Sequence, residues 1–290
     1  MRQRLTWLVM AVAAVVPAFG SSLNLATASS FGFLGGTVSN TGTSAVTGNV
    51  GAMNTISGFG ASNGTATGFV CTPTSGAPCT SGNDTAVTTA YNAIFTSGAY
   101  SAAEGLTSTG SFTTATSQTF LGNTVYASSS DISTATGTGL TFNAQGDPTA
   151  LFIIRVNGAF TVNGAMTFTL QNQAQADNIF WIVGNNATIS VGSSGAITFD
   201  GNILAGDTFT MSAAEGGSGV LAGTINGCVF ARNGNTLAGT TDVGGCAATS
   251  ANGSSSVPEP GSAGLVSLGG LIGILAWRKL RVSLSSSSLR

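Results

Sequence analysis

Between Gly146 and Asp242 the chain repeats one pattern: a short apolar word, a polar turn, then a stretch in which small polar residues alternate with apolar ones. The apolar words are Phe152-Ile153-Ile154, Ile179-Phe180-Trp181, Asn202-Ile203-Leu204 and Cys228-Val229-Phe230, and their starts lie 27, 23 and 26 residues apart. Imperfect repeats of this length predict a solenoid, whose units bury their apolar faces only by stacking on one another. Strand alternation sends successive side chains to opposite faces. In the second word of each unit, Phe160 and Val162, then Ile189, then Phe209 and Met211, then Leu237 should therefore point inward. Thr161 and Asn163, Thr188 and Ser190, Thr208, Thr210 and Ser212, and Thr236 and Ala238 should point outward. Stacking would place Thr161, Thr188, Thr210 and Thr236 in one column and Asn163, Ser190, Ser212 and Ala238 in the next.

Upstream, Leu23 to Gly60 reads as strand and turn, with Thr37-Val38-Ser39, Ala45-Val46-Thr47, Asn49-Val50 and Thr55-Ile56-Ser57 broken by glycine. Whether Thr37/Ser39, Thr47/Asn49 and Thr55/Ser57 extend the same columns or belong to another face is open at this level. Val87, Ala90, Tyr91, Ile94 and Phe95 form one apolar helical stripe, and Asn83-Asp84 offers an N-cap. This predicts a single long helix at about 84–97, lying along the coil axis and covering one face. From Leu106 to Asp147 strand signals return, clearest at Leu140-Thr141-Phe142.

Charge is scarce: 8 basic and 10 acidic residues in 290, with no histidine. Between Leu23 and Ser256 the basic residues are Arg155 and Arg232, set against nine carboxylates, a balance of −7. A phosphate-binding surface cannot be assembled from two arginines, so nucleic acid is excluded as a partner. The carboxylates Asp147, Asp177, Asp200 and Asp207 fall at turns, where aspartate commonly caps the backbone. Paired acids or a general base, which a solenoid hydrolase or lyase would need, are missing from the pattern, so no enzyme, no catalytic residue and no cofactor is expected. Asp84 is expected to cap the helix and Arg155 to serve a local ion pair or turn.

The two ends carry addresses. Arg2 and Arg4 precede the apolar stretch Leu5–Val16 and Pro17-Ala18-Phe19-Gly20, the layout of a secretory signal peptide over 1–22. A second set of small residues at Ala26-Thr27-Ala28 leaves the cleavage point open. The body then spans 23–250. A linker over 251–260 leads into Pro258-Glu259-Pro260, and an apolar run from Gly261 to Trp277 is followed by Arg278, Lys279 and Arg281. Such a run sits at the lower limit for a membrane span, and the basic cluster would act as a cytoplasmic stop. In that order the elements of 258–281 resemble a PEP-CTERM sorting tail. The resemblance implies a Gram-negative envelope, a transient or retained anchor over 261–290, and a sorting transpeptidase as partner. Four cysteines in an exported chain favour disulfides, and their order suggests Cys71–Cys79 and Cys228–Cys246. A zinc site is the weaker alternative, because histidine is missing and the spacings are unlike a zinc ribbon.

Several separate words resemble the DUF3494 ice-binding family: Leu25–Leu34 (LATASSFGFL), Val38–Gly51, Ile56–Phe59, Ala90-Tyr91-Asn92, Leu140–Pro148 (LTFNAQGDP), Phe180–Gly184 (FWIVG), Gly201–Ala205 (GNILA) and Cys246. The match covers nearly all of Leu23 to Cys246. It departs at Met53-Asn54-Thr55, where the family tends to place a proline turn, at the Cys71–Cys79 loop, and at Glu215–Ser218. The resemblance implies a discontinuous right-handed parallel β-helix with one long α-helix packed alongside. It also implies ice as the partner of a flat face, and it favours a signal cleavage before Leu25.

A Thr/Ser/Asn grid suits ordered water for physical reasons. Coils of a solenoid lie about 4.8 Å apart, and alternate residues on a strand about 6.7 Å apart. Threonine offers one donor and two acceptor positions beside a methyl group, and β-branching fixes its χ1. Charges, which would hold hydration shells of their own, are missing from the columns. Thr161, Asn163, Thr188, Ser190, Thr208, Thr210, Ser212 and Thr236 are thus the candidate ice-binding residues. The rival reading is a non-catalytic envelope or matrix module binding exopolysaccharide. A monomer is expected in either case.

Overall fold

The computed structural model describes residues 23–246 apart from 24, 61–62, 74–78, 97, 114–116, 165, 192–195 and 214–221. The signal segment 1–22, the linker, the Pro-Glu-Pro motif and the apolar segment 261–290 lie outside the described residues. After a 3-10 turn at Ala26–Ser30, the chain runs through β1 (Phe31–Asn40), β2 (Ala45–Val46), β3 (Asn49–Ser57), β4 (Thr65–Ala66) and β5 (Val70–Cys71). Two helices follow, α1 (Ser81–Phe95) and α2 (Ala99–Glu104). Then come β6 (Gly110–Ser111), β7 (Gln118–Leu121), β8 (Thr124–Ser128), β9 (Ile132–Thr134), β10 (Gly139–Asn143), β11 (Phe152–Val156), β12 (Phe160–Asn163) and β13 (Thr167–Gln171). The chain ends with β14 (Ile179–Val183), β15 (Ala187–Val191), β16 (Ile197–Asp200), β17 (Asn202–Ala205), β18 (Thr208–Ala213), β19 (Ala222–Asn226), β20 (Val229–Ala238) and β21 (Thr240–Val243).

Every strand pairing among the described residues is parallel, and these strands assemble into three walls of a β-solenoid. Wall A stacks β6, β8, β11, β14, β17, β20, β1, β3 and β5. Wall B stacks β9, β12, β15 and β18, then the second halves of β20, β1 and β3. Wall C is split into β7-β10-β13 and β16-β19-β21-β2-β4. The predicted repeats are successive coils: Phe152 lies opposite Ile179, Trp181 opposite Ile203, and Ile203 opposite Val229.

The coils are not stacked in chain order. β1 lies on β20 through pairs such as Val38 with Asn235 and Leu34 with Phe230, about two hundred residues apart in sequence. The N-terminal coils therefore sit beyond the C-terminal one, and the chain must travel back along the stack to begin β6. Helix α1 makes that return. Thr80 caps it, its Oγ1 accepting from Asn83 N at 3.4 Å, so the helix begins at Ser81, earlier than the Asn83-Asp84 signal suggested. Asp84 lies in the first turn, where a carboxylate complements the helix dipole, and is not the cap. A second helix, α2, was not expected; its six residues are too few to carry a periodic signature.

Two apolar layers hold this arrangement. Inside the coils, Phe120, Phe142, Phe152, Phe160, Trp181, Phe199, Phe209 and Leu237 are fully enclosed. Outside wall A, Ile153, Phe180, Ile182, Leu204, Phe230 and Leu34 meet Val87, Ala90, Ile94 and Phe95 of α1, the predicted stripe. Burying each such side chain contributes roughly 1.5–3 kcal/mol. Both arginines of the body secure these helices. Arg155 Nη1 donates to Leu106 O at 2.7 Å and to Glu104 O, holding the end of α2 to wall A. That is a carbonyl clamp where an ion pair or turn had been expected. Arg232 lies over the rings of Tyr100 and Phe95, 5.2 and 5.7 Å from their centroids, and Tyr91 Oη donates to Arg232 O at 2.7 Å.

The disulfides pair as the order of the cysteines suggested. Cys71–Cys79 closes the loop ahead of α1, and Cys228–Cys246 ties the end of β21 to the start of β20. Cys71, Cys79 and Asp84 converge, but with both sulfurs in a disulfide the cluster offers no thiolate to a metal.

Candidate functional site

Wall B carries the predicted columns. Its inward side is a ridge of Ile132, Phe160, Ala187 and Phe209, continued by the buried Asn235 and then Val38, with Val162, Ile189, Met211 and Leu237 beside it, all buried. Because these side chains are locked in the core, the residues between them must face outward. The central outward column runs Ser133, Thr161, Thr188, Thr210, Thr236, Ser39 and Ser57, each directly opposite the next. To one side stand Asn163, Ser190, Ser212 and Ala238; to the other stand Thr208, Gly234, Thr37 and Thr55.

All eight predicted residues thus come together on one face. The structure also decides the question left open upstream: Thr37/Ser39 and Thr55/Ser57 extend this grid beyond β20, whereas Thr47/Asn49 fall at the turn into wall A. Ser133 at the far end was missed as a site residue, and Thr37, Ser39, Thr55 and Ser57 had been left open. Ser133 could have been found from alternation around Ile132, but the rows beyond β20 depend on the unforeseen coil order.

The pairings through β12, β15, β18 and the second half of β20 run without a register shift. The shift within β1 falls between Gly35 and Thr37, before that strand enters the wall. At the far edge Asn163 and Ala238, in the same column, are each followed by a glycine with positive φ, Gly164 at 79° and Gly239 at 81°. In these two coils the chain turns from wall B to wall C through the left-handed conformation, which glycine adopts at least cost.

Hydrogen bonding differs across the face. At its margins the polar groups satisfy each other: Ser39 Oγ donates to Thr236 Oγ1 at 3.1 Å, Asn163 Nδ2 to Ser133 Oγ at 3.0 Å, and Thr208 Oγ1 to Asn186 Oδ1 at 3.1 Å. In the centre, the half-exposed hydroxyls of Thr161, Thr188 and Thr210 have no hydrogen-bond partner among the described residues. Their donors and acceptors are available to solvent in register. The columns hold no ionisable group. The nearest acids, Asp131 and Asp207, lie in the turns between walls A and B and accept from Ala159 N and Asn233 Nδ2.

The other walls do not offer an equal surface. Wall A is covered by α1 and α2. Wall C also presents threonines, Thr119-Thr141-Thr169 and Thr198-Thr224, but three features break the row. Its strands β13 and β16 do not pair with each other, Asp242 follows Thr224 in the column, and Leu121 stands exposed in the neighbouring column opposite Asn143. Asp147, Asp177 and Asp200 lie away from wall B, at or next to corners. Asp147 accepts from Thr149 N and Oγ1, which with Asn123 holds its pKa below the ordinary value. Burial raises Asp177 and Asp200, the latter in part offset by the Asn226 Nδ2 hydrogen bond at 2.7 Å.

The fold and this face define a parallel β-solenoid that presents an ordered, uncharged hydroxyl grid on one uncovered wall. Residues 34–243 match the family described as Ice-binding-like, and residues 256–281 match the PEP-CTERM protein-sorting motif. The chain belongs to the ice-binding-like family. It is 33% identical over 262 residues to an ice-binding protein of Nostoc sp. (strain HG1), a match spanning 88% of this chain and 86% of that one. Its solenoid is similar to the crystal structure of an ice-binding protein from the Antarctic ascomycete Antarctomyces psychrotrophicus, with TM-score 0.63, 27% identity, and coverage of 76% of this chain and 97% of that one. It is similar as well to an ice-binding protein from an Antarctic biological consortium, with TM-score 0.60, 25% identity, and coverage of 76% and 90%. Among the described residues no helix is long and apolar enough to cross a membrane.

Proposed function

We propose that this chain is an exported, non-catalytic ice-binding protein that adsorbs to ice through wall B. The observation that carries the reading is the central column from Ser133 to Ser57: seven rungs of small hydroxyl side chains in register, uncharged, and on a wall that the helices leave open. Its two repeats, about 4.8 Å along the stack and about 6.7 Å along each strand, give a two-dimensional lattice on which water can be held in ice-like order. Each threonine contributes a methyl group that limits alternative water arrangements and a hydroxyl that pins one. A neutral contact of this kind nets on the order of 1 kcal/mol or less. Many contacts formed together make desorption slow, which is what arrests growth of a crystal face. The sorting motif supports an address at the cell envelope, with the Pro258-Glu259-Pro260 tail handled by a transpeptidase.

The test is partition of the folded protein into slowly grown ice. Enrichment in the solid phase supports the reading. Exclusion from ice with a normal circular dichroism spectrum would transfer the face to the matrix function, with exopolysaccharide as its partner.

A further inference from the structure

Five asparagines of the described body are followed by glycine: Asn63, Asn157, Asn163, Asn226 and Asn233. An Asn-Gly pair is reactive, because no side chain on the glycine shields the asparagine amide from the backbone nitrogen that follows it. In four of the pairs the fold ties down one of the two reacting groups. Gly64 N donates to Gly58 O at 3.0 Å, and Gly164 N to Ser190 O at 2.9 Å. Asn226 Nδ2 donates to Asp200 Oδ1 and Asn233 Nδ2 to Asp207 Oδ1, both at 2.7 Å. At Asn157 both groups are free. Its exposed side-chain amide has no hydrogen-bond partner among the described residues, and neither has the N–H of the buried Gly158. An unpaired main-chain N–H at a buried residue is an exception in a folded chain. Position 158 is also bound to be glycine: a Cβ there would stand 2.0 Å from Asp131 Oδ1 and 2.9 Å from Asp131 N.

We propose that Asn157 is the site at which the folded solenoid deamidates, and that the product unsettles wall B. Gly158 N gives its proton to water and bonds to Asn157 Cγ, the Cγ–Nδ2 bond breaks, and ammonia leaves. Water then opens the resulting succinimide at one of its two carbonyls, giving aspartate or isoaspartate. Isoaspartate carries the main chain through its side-chain carbons, which adds one chain atom. Asn157 stands in the three-residue corner 157–159 between β11 and β12. That corner is pinned by Asn157 N donating to Ser128 O at 3.1 Å, Asn185 N to Gly158 O at 3.1 Å and Ala159 N to Asp131 Oδ1 at 2.8 Å. An added chain atom between these anchors displaces Phe160 and Thr161 from Ala187 and Thr188, their partners on β15. Either acid also brings a negative charge to the corner that holds Asp131, beside an uncharged wall. The chemistry at Asn157 stands alone, whereas its consequence for wall B rests on the ice-binding reading.

Full-length protein is aged in its folded form at mildly alkaline pH, digested at intervals, and mapped by mass spectrometry with fragmentation that separates aspartate from isoaspartate. Asn157 should convert ahead of Asn63, Asn163, Asn226 and Asn233. Earlier conversion at any of those four, or none at Asn157, would overturn the site. Aged wild-type protein is then partitioned into slowly grown ice, and the ratio of converted to unconverted residue 157 is compared between the solid and the liquid. Converted molecules should be depleted from the ice. Asn157→Gln, which lacks the geometry for a five-membered ring, should enter ice as well after ageing as before it. Equal ratios in the two phases, or an Asn157→Gln variant that loses ice partition on ageing as fast as wild type, would overturn the effect on wall B. Failure of fresh wild-type protein to enter ice would instead remove the ice-binding reading, leaving the order of conversion as the test of the site.

Discussion

Thr188 and Thr210 face each other across neighbouring strands, β15 and β18, at the same register position, and neither hydroxyl has a hydrogen-bond partner among the described residues. Between them their backbones share the ladder, while their side chains are left to solvent one coil apart. Replacing both by arginine puts two hydration shells and two long side chains on the grid without touching the core. Ice shaping should be abolished, while stability changes by no more than about 0.5 kcal/mol per site, the usual range for surface substitutions. Thermal unfolding and ice-recrystallisation assays on the same preparation check both halves. Thr188→Ser keeps the hydroxyl and removes the methyl and the β-branch, so an intermediate loss is expected.

Thr241 gives a prediction of opposite sign. It is fully buried in β21, and its Oγ1 has no hydrogen-bond partner among the described residues. Thr241→Val preserves shape and removes the unpaired hydroxyl. The variant should be stabilised by about 1–2 kcal/mol, since an unsatisfied buried polar group costs roughly 1–3 kcal/mol. An unchanged or lowered denaturation midpoint would contradict this.

Arg155 is expected to matter for the helices and not for the face. Arg155→Ala leaves the carbonyls of Glu104 and Leu106 without their donor, and a loss of about 1–3 kcal/mol follows from the unpaired groups. Hydrogen exchange should accelerate first around Ala99–Leu106. Ice binding by the protein that remains folded should be unchanged.

The pH dependence separates stability from binding. Asp177 and Asp200 have raised pKa values in the folded state, so the native protein holds their protons more tightly than the unfolded chain does. Their contribution therefore weakens as pH rises from the ordinary carboxylate range through the raised values. Asp147 is lowered and acts the other way: its contribution is present above the ordinary value and is lost as pH falls. Asp200→Asn should raise the midpoint of unfolding at neutral pH and have little effect in acid. Wall B titrates nowhere, so ice activity of the folded protein should stay level from about pH 5 to pH 9, a range that spans the ordinary pKa values of no group on its surface.

Much of this was legible in the sequence because alternation is a local property. Phe160, Val162, Phe209 and Met211 dictated their neighbours' direction, and the repeat length aligned the coils. The apolar stripe of α1 was equally local, although Thr80, not Asn83, supplied the cap. What could not be read was set by contacts distant in the chain. Nothing near Thr37 announces that β1 will stack on β20, and so the face could not be extended to Ser39 and Ser57. The role of Arg155 depended on α2, too short to signal itself. The weakness of wall C depended on a missing ladder between β13 and β16, which emerges only when Phe168, Phe199 and Trp181 pack beneath it.

The choice of face is tested most directly by ice partition of two matched double variants. Thr188→Arg with Thr210→Arg alters wall B, and Thr141→Arg with Thr224→Arg alters wall C by the same chemistry. The account predicts that wild type and the wall C variant enter growing ice and the wall B variant stays in the liquid. Entry of the wall B variant, or exclusion of the wall C variant while it remains folded, would contradict it.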